Sequence, residues 1–413
     1  MFSPRERVFG RSAAHPDPDH TRWEPPPADL IEGGGSARRP RTRLAVAALL
    51  GAALVGLLLV RPGHPTRPGP SPTLEPAPEP HFAVSRLAFT DAEFGYALLS
   101  PCRLSTSPCD GTWSLQRTTD SARHWQRVAS PLDTNTATFP TVYARGHHEV
   151  ALVLEGRRFL SQDAGRTWRT VLPDRSAGPV DAVRAGDEVG YYCPRVGTTC
   201  APRLSAYDPV GGVTRPLRNQ PPIVGDPAEL RVSGVVAAGQ VWLVAGLVTE
   251  APQILHSPDG GRHWQTVSTP AHQDWFDPTL AVAPDGAQVY LITRGGDQAD
   301  FRRVWRLVDQ VNGRWVDAAT GDVPLDQIRD IRVLPNGELR YADIAGNAWL
   351  TEAHATRVVP APRALLDGRQ VNVNIAQVLD GAVVATPVVG LRGDRILVST
   401  DDGRHWQDHP VPF

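Results

Sequence analysis

The sequence predicts an all-β protein, a seven-bladed β-propeller preceded by a single transmembrane helix. Three observations support this: a 17-residue apolar run, a turn motif that recurs four times after residue 82, and a spacing between the copies that divides into units of about 47 residues. Short β-rich runs bounded by Gly, Pro and Asp fill the region after residue 82, as is typical of all-β domains. We expect a disordered cytoplasmic tail at residues 1–43, the transmembrane helix at 44–60, a Pro-rich linker at 61–81 and the propeller at 82–413.

The composition is that of a globular chain without a general affinity for nucleic acid. Hydrophobic residues make up 41% and charged residues 21% of the 413 residues, which is enough to build a core. The formal net charge is −2, and arginine pairs such as Arg302-Arg303 are isolated, so nucleic acid is not an expected partner. All 42 basic residues are arginine, which indicates the codon usage of a GC-rich, bacterial genome.

The apolar run is Leu44–Val60, which contains only Leu, Ala, Val and Gly. A helix of this length rises about 26 Å, close to the thickness of the hydrocarbon core of a bilayer. A cleaved signal peptide is one rival interpretation, but it needs a short leader and a small-x-small cleavage site, whereas 43 residues precede this run and Arg61-Pro62 follow it. A buried core helix is the other, and a proline linker would not follow it at once. We therefore predict a membrane anchor.

The arginines that flank this run predict its orientation. Four precede it and two follow it: Arg38, Arg39, Arg41 and Arg43, then Arg61 and Arg67. The positive-inside rule places the N-terminus in the cytoplasm and the C-terminal domain outside the cytoplasmic membrane. Residues 62–81 hold eight prolines in twenty, so they form a polyproline II spacer that reaches up to about 60 Å.

The repeated motif reads S/T-x-D-x-G-x-T/H-W and predicts a tight turn. Its aspartates, glycines and tryptophans are Asp120 and Trp125, then Asp163, Gly165 and Trp168, then Asp259, Gly261 and Trp264, then Asp401, Gly403 and Trp406. Only the first copy departs, with Ala122 in the glycine position. An Asp carboxylate accepts the unpaired backbone N–H groups of such a turn, Gly takes a positive φ, and Trp packs between neighbouring sheets. We therefore interpret these residues as structural, together with His124, His263 and His405, and expect no metal and no cofactor.

The spacing of the motif gives the number of blades. Asp120 and Asp163 are 43 residues apart, Asp163 and Asp259 are 96 apart, and Asp259 and Asp401 are 142 apart. These distances correspond to one, two and three repeat intervals, and six intervals imply seven units. Each unit is within the ~40–50 residues of a four-stranded blade. Eroded copies are expected near residues 211, 306 and 353, where the sequence offers residues 208–214, 309–315 and 349–352.

This motif resembles the Asp-box, or BNR repeat, of sialidases and related propellers. The stretch F-x-D-x-x-x-G-Y-A, from Phe89 to Ala97, further resembles the blades of the photosystem II stability and assembly factor propellers, clearly in the first unit and in patches elsewhere. That second resemblance implies a seven-bladed scaffold that carries Asp-boxes and binds membrane-protein clients without catalysis.

The four cysteines form two matched pairs, Cys102 with Cys109 and Cys193 with Cys200, each seven residues apart. Each pair follows a Gly-Tyr dipeptide, and the two dipeptides are 95 residues apart, which is two repeat periods. This symmetry favours two local disulfides over the other pairings. Zinc is the rival interpretation, but C-x6-C lacks the usual C-x2-4-C spacing. Disulfides agree with a location outside the cytoplasm.

The resemblance to sialidases also raises a catalytic alternative, an exo-sialidase-like glycoside hydrolase. Such an enzyme uses a tyrosine nucleophile activated by glutamate, and the candidates here are Tyr341, beside Arg340, with Glu338. No Arg-Ile-Pro occurs in the chain, although sialidases carry it. We therefore assign no catalytic residue, and we interpret His147-His148-Glu149 as a solvated turn.

The preferred hypothesis is a membrane-anchored binding or scaffolding module for a protein or glycan partner at the cell surface. Function in such folds commonly lies in loops on a rigid scaffold. The longer insertions, at residues 100–111, 193–203 and 294–303, are the candidate recognition surface. Neutral drift explains insertions equally well.

Overall fold

The computed structural model covers most of the region after residue 82. It describes residues 83–412 except for 101–111, 133–138, 173–174, 193–202, 226–229, 248–249, 272–274, 276, 296–297, 319, 322, 344, 353–356 and 389–393. The predicted tail, transmembrane helix and linker, and all four cysteines, lie outside the described residues. Within the described ranges, no helix is long and apolar enough to span a bilayer.

Seven four-stranded sheets, the blades, account for nearly all of the strands. Blade 1 comprises β1 (Ala83–Phe89), β2 (Gly95–Ser100), β3 (Ser114–Thr118) and β4 (Gln126–Val128). Blade 2 comprises β5 (Thr141–Arg145), β6 (Glu149–Leu154), β7 (Arg157–Ser161) and β8 (Arg169–Val171). Blade 3 comprises β9 (Arg175–Ser176), β10 (Glu188–Tyr192), β11 (Arg203–Asp208) and β12 (Val213–Pro216). Blade 4 comprises β13 (Arg231–Ala237), β14 (Gln240–Gly246), β15 (Gln253–Ser257) and β16 (Gln265–Val267).

The remaining blades follow in chain order, with one hairpin between the last two. Blade 5 comprises β17 (Thr279–Val282), β18 (Val289–Gly295), β19 (Gln298–Asp309) and β20 (Arg314–Asp317). Blade 6 comprises β21 (Ile328–Val333), β22 (Leu339–Asp343), β23 (Ala348–Thr351) and β24 (Val358–Pro360). The hairpin comprises β25 (Ala364–Leu366) and β26 (Arg369–Val371). Blade 7 comprises β27 (Val373–Leu379), β28 (Ala382–Pro387), β29 (Arg395–Ser399) and β30 (Gln407–Pro410).

The seven blades close into a ring because each packs on the next through its own apolar cluster. Such clusters join blades 1 and 2, 2 and 3, 3 and 4, 4 and 5, 5 and 6, 6 and 7, and 7 and 1. At the last junction, the Gln377 side chain of β27 accepts from Phe89 N at 2.8 Å and donates to Phe89 O at 2.7 Å. The chain is therefore a seven-bladed β-propeller, as the spacing of the motif predicts.

Burial falls from the centre of each blade to its rim. All six residues of β2 are buried, because this strand lies between its own sheet neighbours and faces apolar side chains on both sides. The outermost strand β4 has two exposed residues of three. Second strands such as β2 and β14 therefore have the near-continuous apolar sequence of strands buried on both faces, while the outer strand β4 carries exposed Gln and Arg.

Two features depart from a uniform repeat. In blade 3 the strand order is β10-β11-β12-β9, so the outermost strand comes first in the chain and pairs parallel to β12. The β25–β26 hairpin packs on blade 7 through Ala364 and Leu366, against Val373 and Leu397. Neither feature is predicted by the motif spacing, because both lie between the repeated turns.

Antiparallel pairing gives the propeller two distinct faces. The motif turns β3–β4, β7–β8, β15–β16 and β29–β30 lie at one end of their sheets, here the Asp-box face. The opposite end, the loop face, carries the connections β2–β3, β10–β11 and β18–β19. These are the connections that contain the three predicted insertions.

Candidate functional site

The second motif copy shows how the turn is built. Ser161 Oγ donates to Asp163 Oδ1 at 2.8 Å and accepts from Gly165 N at 2.7 Å. Asp163 Oδ1 also accepts from Thr167 N at 2.8 Å, and Oδ2 accepts from Thr167 Oγ1 at 2.6 Å. These hydrogen bonds from Thr167 lower the pKa of Asp163 to about 2. The carboxylate is used entirely within its own turn.

The other three copies repeat this geometry with histidine in place of threonine. Asp120, Asp259 and Asp401 each accept from the backbone N–H of the histidine four residues on, at 2.8–2.9 Å. The second carboxylate oxygen contacts Nδ1 of the same histidine. Burial opposes ionisation, but these hydrogen bonds outweigh it and lower the pKa of each carboxyl. Each histidine therefore has a partner within its own turn, and the described residues contain no cluster suited to a metal ion.

Positive φ angles explain the glycine of the motif. Gly165 has φ +86° and Gly261 has φ +107°. A Cβ on Gly165 would lie 2.1 Å from Val128 Cγ1 of the preceding blade, and one on Gly261 would lie 2.8 Å from Leu217 Cδ1. In the first copy, Ala122 takes φ +65° and is fully buried between blades 7 and 1. The exception thus adopts the same strained backbone.

Two of the four motif tryptophans link their blade to the one before it. Trp168 Nε1 donates to Ala129 O at 2.7 Å, and Trp264 Nε1 donates to Asn219 O at 3.1 Å. Their acceptors follow β4 of blade 1 and β12 of blade 3. By contrast, Trp125 Nε1 and Trp406 Nε1 are buried without an acceptor among the described residues. The motif therefore joins blades, in addition to closing hairpins.

Two of the three eroded copies form Asp-centred turns at the Asp-box face. Asp208 accepts from Val210 N and Gly211 N at 3.0 and 2.8 Å. Asp309 accepts from Val311 N and Asn312 N, both at 3.0 Å. In blade 5 the tryptophan link is also kept, since Trp315 Nε1 donates to Ser268 O at 2.6 Å.

The third eroded copy, predicted at residues 349–352, does not form a turn at Trp349. Residues 349–351 belong to β23, and the turn towards β24 follows Glu352. Trp349 therefore precedes the turn and is not equivalent to the motif tryptophan. Most of that turn, residues 353–356, lies outside the described residues.

The candidate tyrosine of a sialidase-like site is inaccessible. Tyr341 has 0% exposure and lies in the apolar cluster between blades 5 and 6. Burial raises the pKa of Tyr341 far above its ordinary value. Glu338 is also buried, and Arg404 Nη2 donates to its Oε1 at 2.6 Å. Tyr341 and Glu338 therefore lie in interfaces between blades and do not line an open site.

Apolar side chains are exposed on the loop face. Phe139 is 49% exposed and contacts Trp113, which precedes β3, edge-on at 5.8 Å. Val224 is 76% exposed, and its backbone pairs with the Gln253 side chain at the start of β15. Leu247, 38% exposed, directly follows β14. The three side chains lie at the same end of the propeller as the predicted insertions.

A pocket of about 210 Å³ opens between blades 6 and 7 at the loop face. Its lining comes from β22, from the β22–β23 turn, from the segment after β24 and from the start of β27. The lining residues are Arg340, Gly346, Asn347, Ala348, Trp349, Pro360, Ala361, Pro362, Arg363, Asn372 and Val373. Arg340 is only 3% exposed. Sequence reasoning places Arg340 in a catalytic constellation and misses this pocket, because its walls are far apart in the chain.

Fold and turns together define a seven-bladed β-propeller whose turns resemble Asp-boxes. Among solved structures, "YCF48 bound to D1 peptide" is 14% identical, with 80% of this chain and 83% of that chain covered and a TM-score of 0.30. A GH74 xyloglucanase from Xanthomonas campestris is 15% identical over 79% of this chain and 60% of that chain, with a TM-score of 0.38. Prolyl oligopeptidase B from Galerina marginata is 12% identical over 79% of this chain and 50% of that chain, with a TM-score of 0.49.

No protein-family model matches the chain, and no curated protein matches it. Identities of 12–15% and TM-scores of 0.30–0.49 are too low to support an argument from these structures. The assignment of a seven-bladed ring therefore depends on the strands and contacts of this chain itself.

Proposed function

We propose that this chain is a membrane-anchored, extracytoplasmic β-propeller that binds a partner through its loop face and does not catalyse a reaction. The observation that carries the proposal is the exposure of Phe139, Val224 and Leu247 on that face. Loops carried on a rigid scaffold commonly form binding surfaces, and exposed apolar side chains on them can contact another protein. A protein therefore fits this face better than a glycan, whose hydroxyl groups require polar contacts.

Membrane anchoring is proposed on sequence grounds. The apolar run Leu44–Val60, its arginine flanks and the proline linker all favour a single-pass anchor with the propeller outside the cytoplasm. Disulfides Cys102–Cys109 and Cys193–Cys200 would suit that location.

The burial of Tyr341 argues against the sialidase-like alternative. A tyrosine nucleophile must reach the anomeric carbon of its substrate, and a fully buried phenol in an apolar cluster does not. Turnover of a fluorogenic sialoside by the full chain, lost in Tyr341→Phe, would overturn the binding proposal.

Charge substitutions on the two faces test the proposal. Val224→Glu and Leu247→Glu should abolish co-purification of the partner from native membranes, since each puts a carboxylate into the apolar surface. The matched control is Val311→Glu, because Val311 is 92% exposed on the Asp-box face. Equal loss of the partner in all three variants, or in none, would contradict a role for the loop face.

A further inference from the structure

The pocket between blades 6 and 7 contains a buried cation without a matching anion. Arg340 is 3% exposed, and its one hydrogen bond among the described residues runs from Nη2 to Val373 O at 2.7 Å. A guanidinium has five N–H donors, so most donors of Arg340 have no acceptor in the described part of the protein. Within the described part of the chain, no carboxylate lies within ion-pair distance of Arg340.

The charges around Arg340 do not neutralise it. Asp330 is the nearest source of negative charge, but Arg332 pairs with it at 2.9 Å and also lies directly opposite Arg340 in the sheet. Asp343 is engaged with Asn347, whose N and Nδ2 both donate to it at 2.8 Å. At the pocket rim, Arg363 is exposed and forms no ion pair with the described residues. The pocket therefore has an excess of positive charge.

Burying an unpaired charge is costly unless a partner is supplied. Burial lowers the pKa of Arg340 to about 10, because desolvation outweighs the attraction of Asp330. The segments that adjoin the pocket walls in sequence, residues 344, 353–356 and 389–393, contain neither Asp nor Glu. No anion of the described residues therefore neutralises Arg340, and an anion that enters the pocket can pair with it.

The walls suggest what the anion is attached to. Trp349, Pro360, Ala361 and Pro362 give the pocket an apolar side, while Arg340 forms its inner end. One buried guanidinium suits a monoanion, and its planar donor edge matches a carboxylate. A phosphate dianion would call for more than one buried cation.

We propose that this pocket is a carboxylate-binding site, in which Arg340 pairs with the carboxylate and Trp349 and Pro360 contact the apolar body attached to it. A free small acid, an acidic side chain and the C-terminus of a protein all present this group. Recognition of the carboxylate does not depend on the proposed partner of the loop face.

Titration calorimetry on the detergent-solubilised full chain tests the site. The probes are 3-phenylpropanoate and its uncharged analogue 3-phenylpropanamide. The acid should bind at least about tenfold more tightly than the amide, since a charge-assisted hydrogen-bonded pair contributes about 1.5–3 kcal/mol. Equal binding of acid and amide, or binding of neither, would overturn the proposal.

Variants separate binding from a structural role. Arg340→Met should abolish the preference for the acid and change the melting temperature little, because removal of an unpaired buried charge offsets the loss of the hydrogen bond to Val373 O. Arg363→Gln at the rim should weaken acid binding severalfold and leave the fold intact. Arg369→Met, at an exposed arginine of β26 outside the pocket, should bind like the parent. If Arg340→Met does not fold, the acid-to-amide ratio and Arg363→Gln still decide the matter.

Competition identifies the source of the carboxylate. Three peptides that contain phenylalanine are compared: one with a free C-terminus, one amidated at its C-terminus, and one amidated with an internal glutamate. Displacement of 3-phenylpropanoate by the first alone assigns a protein C-terminus, and displacement by the third assigns an acidic side chain. Binding of the small acid without displacement by any peptide assigns a free acid. That last result would support the carboxylate-binding site. It would not bear on the loop-face proposal, which is tested by the variants on that face.

Discussion

Gly165 is the position where one added methyl group should damage the propeller most clearly. In Gly165→Ala the new Cβ would lie 2.1 Å from Val128 Cγ1 and 3.5 Å from Val128 Cβ, whereas carbon atoms in contact need about 3.5–4.0 Å. Val128 is β-branched and stiff, so the strand itself must move. Overpacking of this kind costs about 1–3 kcal/mol, and a left-handed alanine costs about 1–2 kcal/mol more. We expect the change to lower the unfolding free energy by roughly 2–5 kcal/mol.

Ala122→Gly is the matched control, at the equivalent position of the first turn. Relief of its φ of +65° gains about 1–2 kcal/mol. Loss of a fully buried methyl group costs about 0.8 kcal/mol, and the added chain entropy costs roughly 0.5–1 kcal/mol. The net change should lie within about 1 kcal/mol of zero. Thermal unfolding of both full-chain variants, followed by circular dichroism, measures the difference; similar melting temperatures for the two would refute this account of the motif glycine.

Three further predictions follow from named contacts. Trp168→Phe should lower the unfolding free energy by about 1 kcal/mol, because it removes the hydrogen bond to Ala129 O. Trp125→Phe should be nearly neutral, since Trp125 Nε1 has no acceptor among the described residues. A larger loss of stability in Trp125→Phe than in Trp168→Phe, measured by urea unfolding, would contradict this. Burial lowers the pKa of His256 to about 4 from its ordinary 6.5, and the ring stacks on Trp242 at 3.9 Å between Gln240 and Gln265. The unfolded chain therefore binds the proton first, and stability that is complete above pH 6.5 should fall by on the order of 2 kcal/mol as the pH drops to 4; an equally steep fall in His256→Gln would show that the dependence arises elsewhere. Finally, thiol counting on the unreduced full chain should find no free thiol among the four cysteines. Removal of the Cys102–Cys109 bond should lower the unfolding free energy by about 2–3 kcal/mol. Reactive thiols in protein taken directly from membranes would contradict both the disulfides and the proposed location.

The repeated turn made the fold predictable from sequence, since its chemistry is local. Asp163, Ser161 and Thr167 lie within seven residues of one another, so their hydrogen bonds appear in the sequence as a motif, and the spacing of the motif counts the blades. The parallel pairing of β9 with β12 carries no such local signal, because it joins segments that the motif does not relate. The β25–β26 hairpin is missed for the same reason.

Whether a candidate residue is accessible depends on how neighbouring blades pack, which the motif does not encode. The sequence around Tyr341 reads as an alternating strand, and only the packing of blade 5 on blade 6 makes both its faces internal. Arg340, beside it, points the other way and reaches Val373 of blade 7. Adjacent residues thus belong to different blade interfaces, and the pocket at Arg340 needs segments up to 33 residues apart.

The absence of lysine from the chain allows the most direct test of the loop face as a binding surface. Val224→Lys and Leu247→Lys each introduce a single side-chain amine on that face, and Val311→Lys introduces one on the Asp-box face. A membrane-impermeant amine-reactive crosslinker applied to intact cells should join the first two variants to one common partner protein. The Val311→Lys variant should react with a monofunctional form of the same reagent, as an extracytoplasmic domain must, yet give no crosslinked partner. A partner captured from Val311→Lys but from neither loop-face variant would contradict the proposed binding surface, and lack of labelling in all three would contradict the proposed topology.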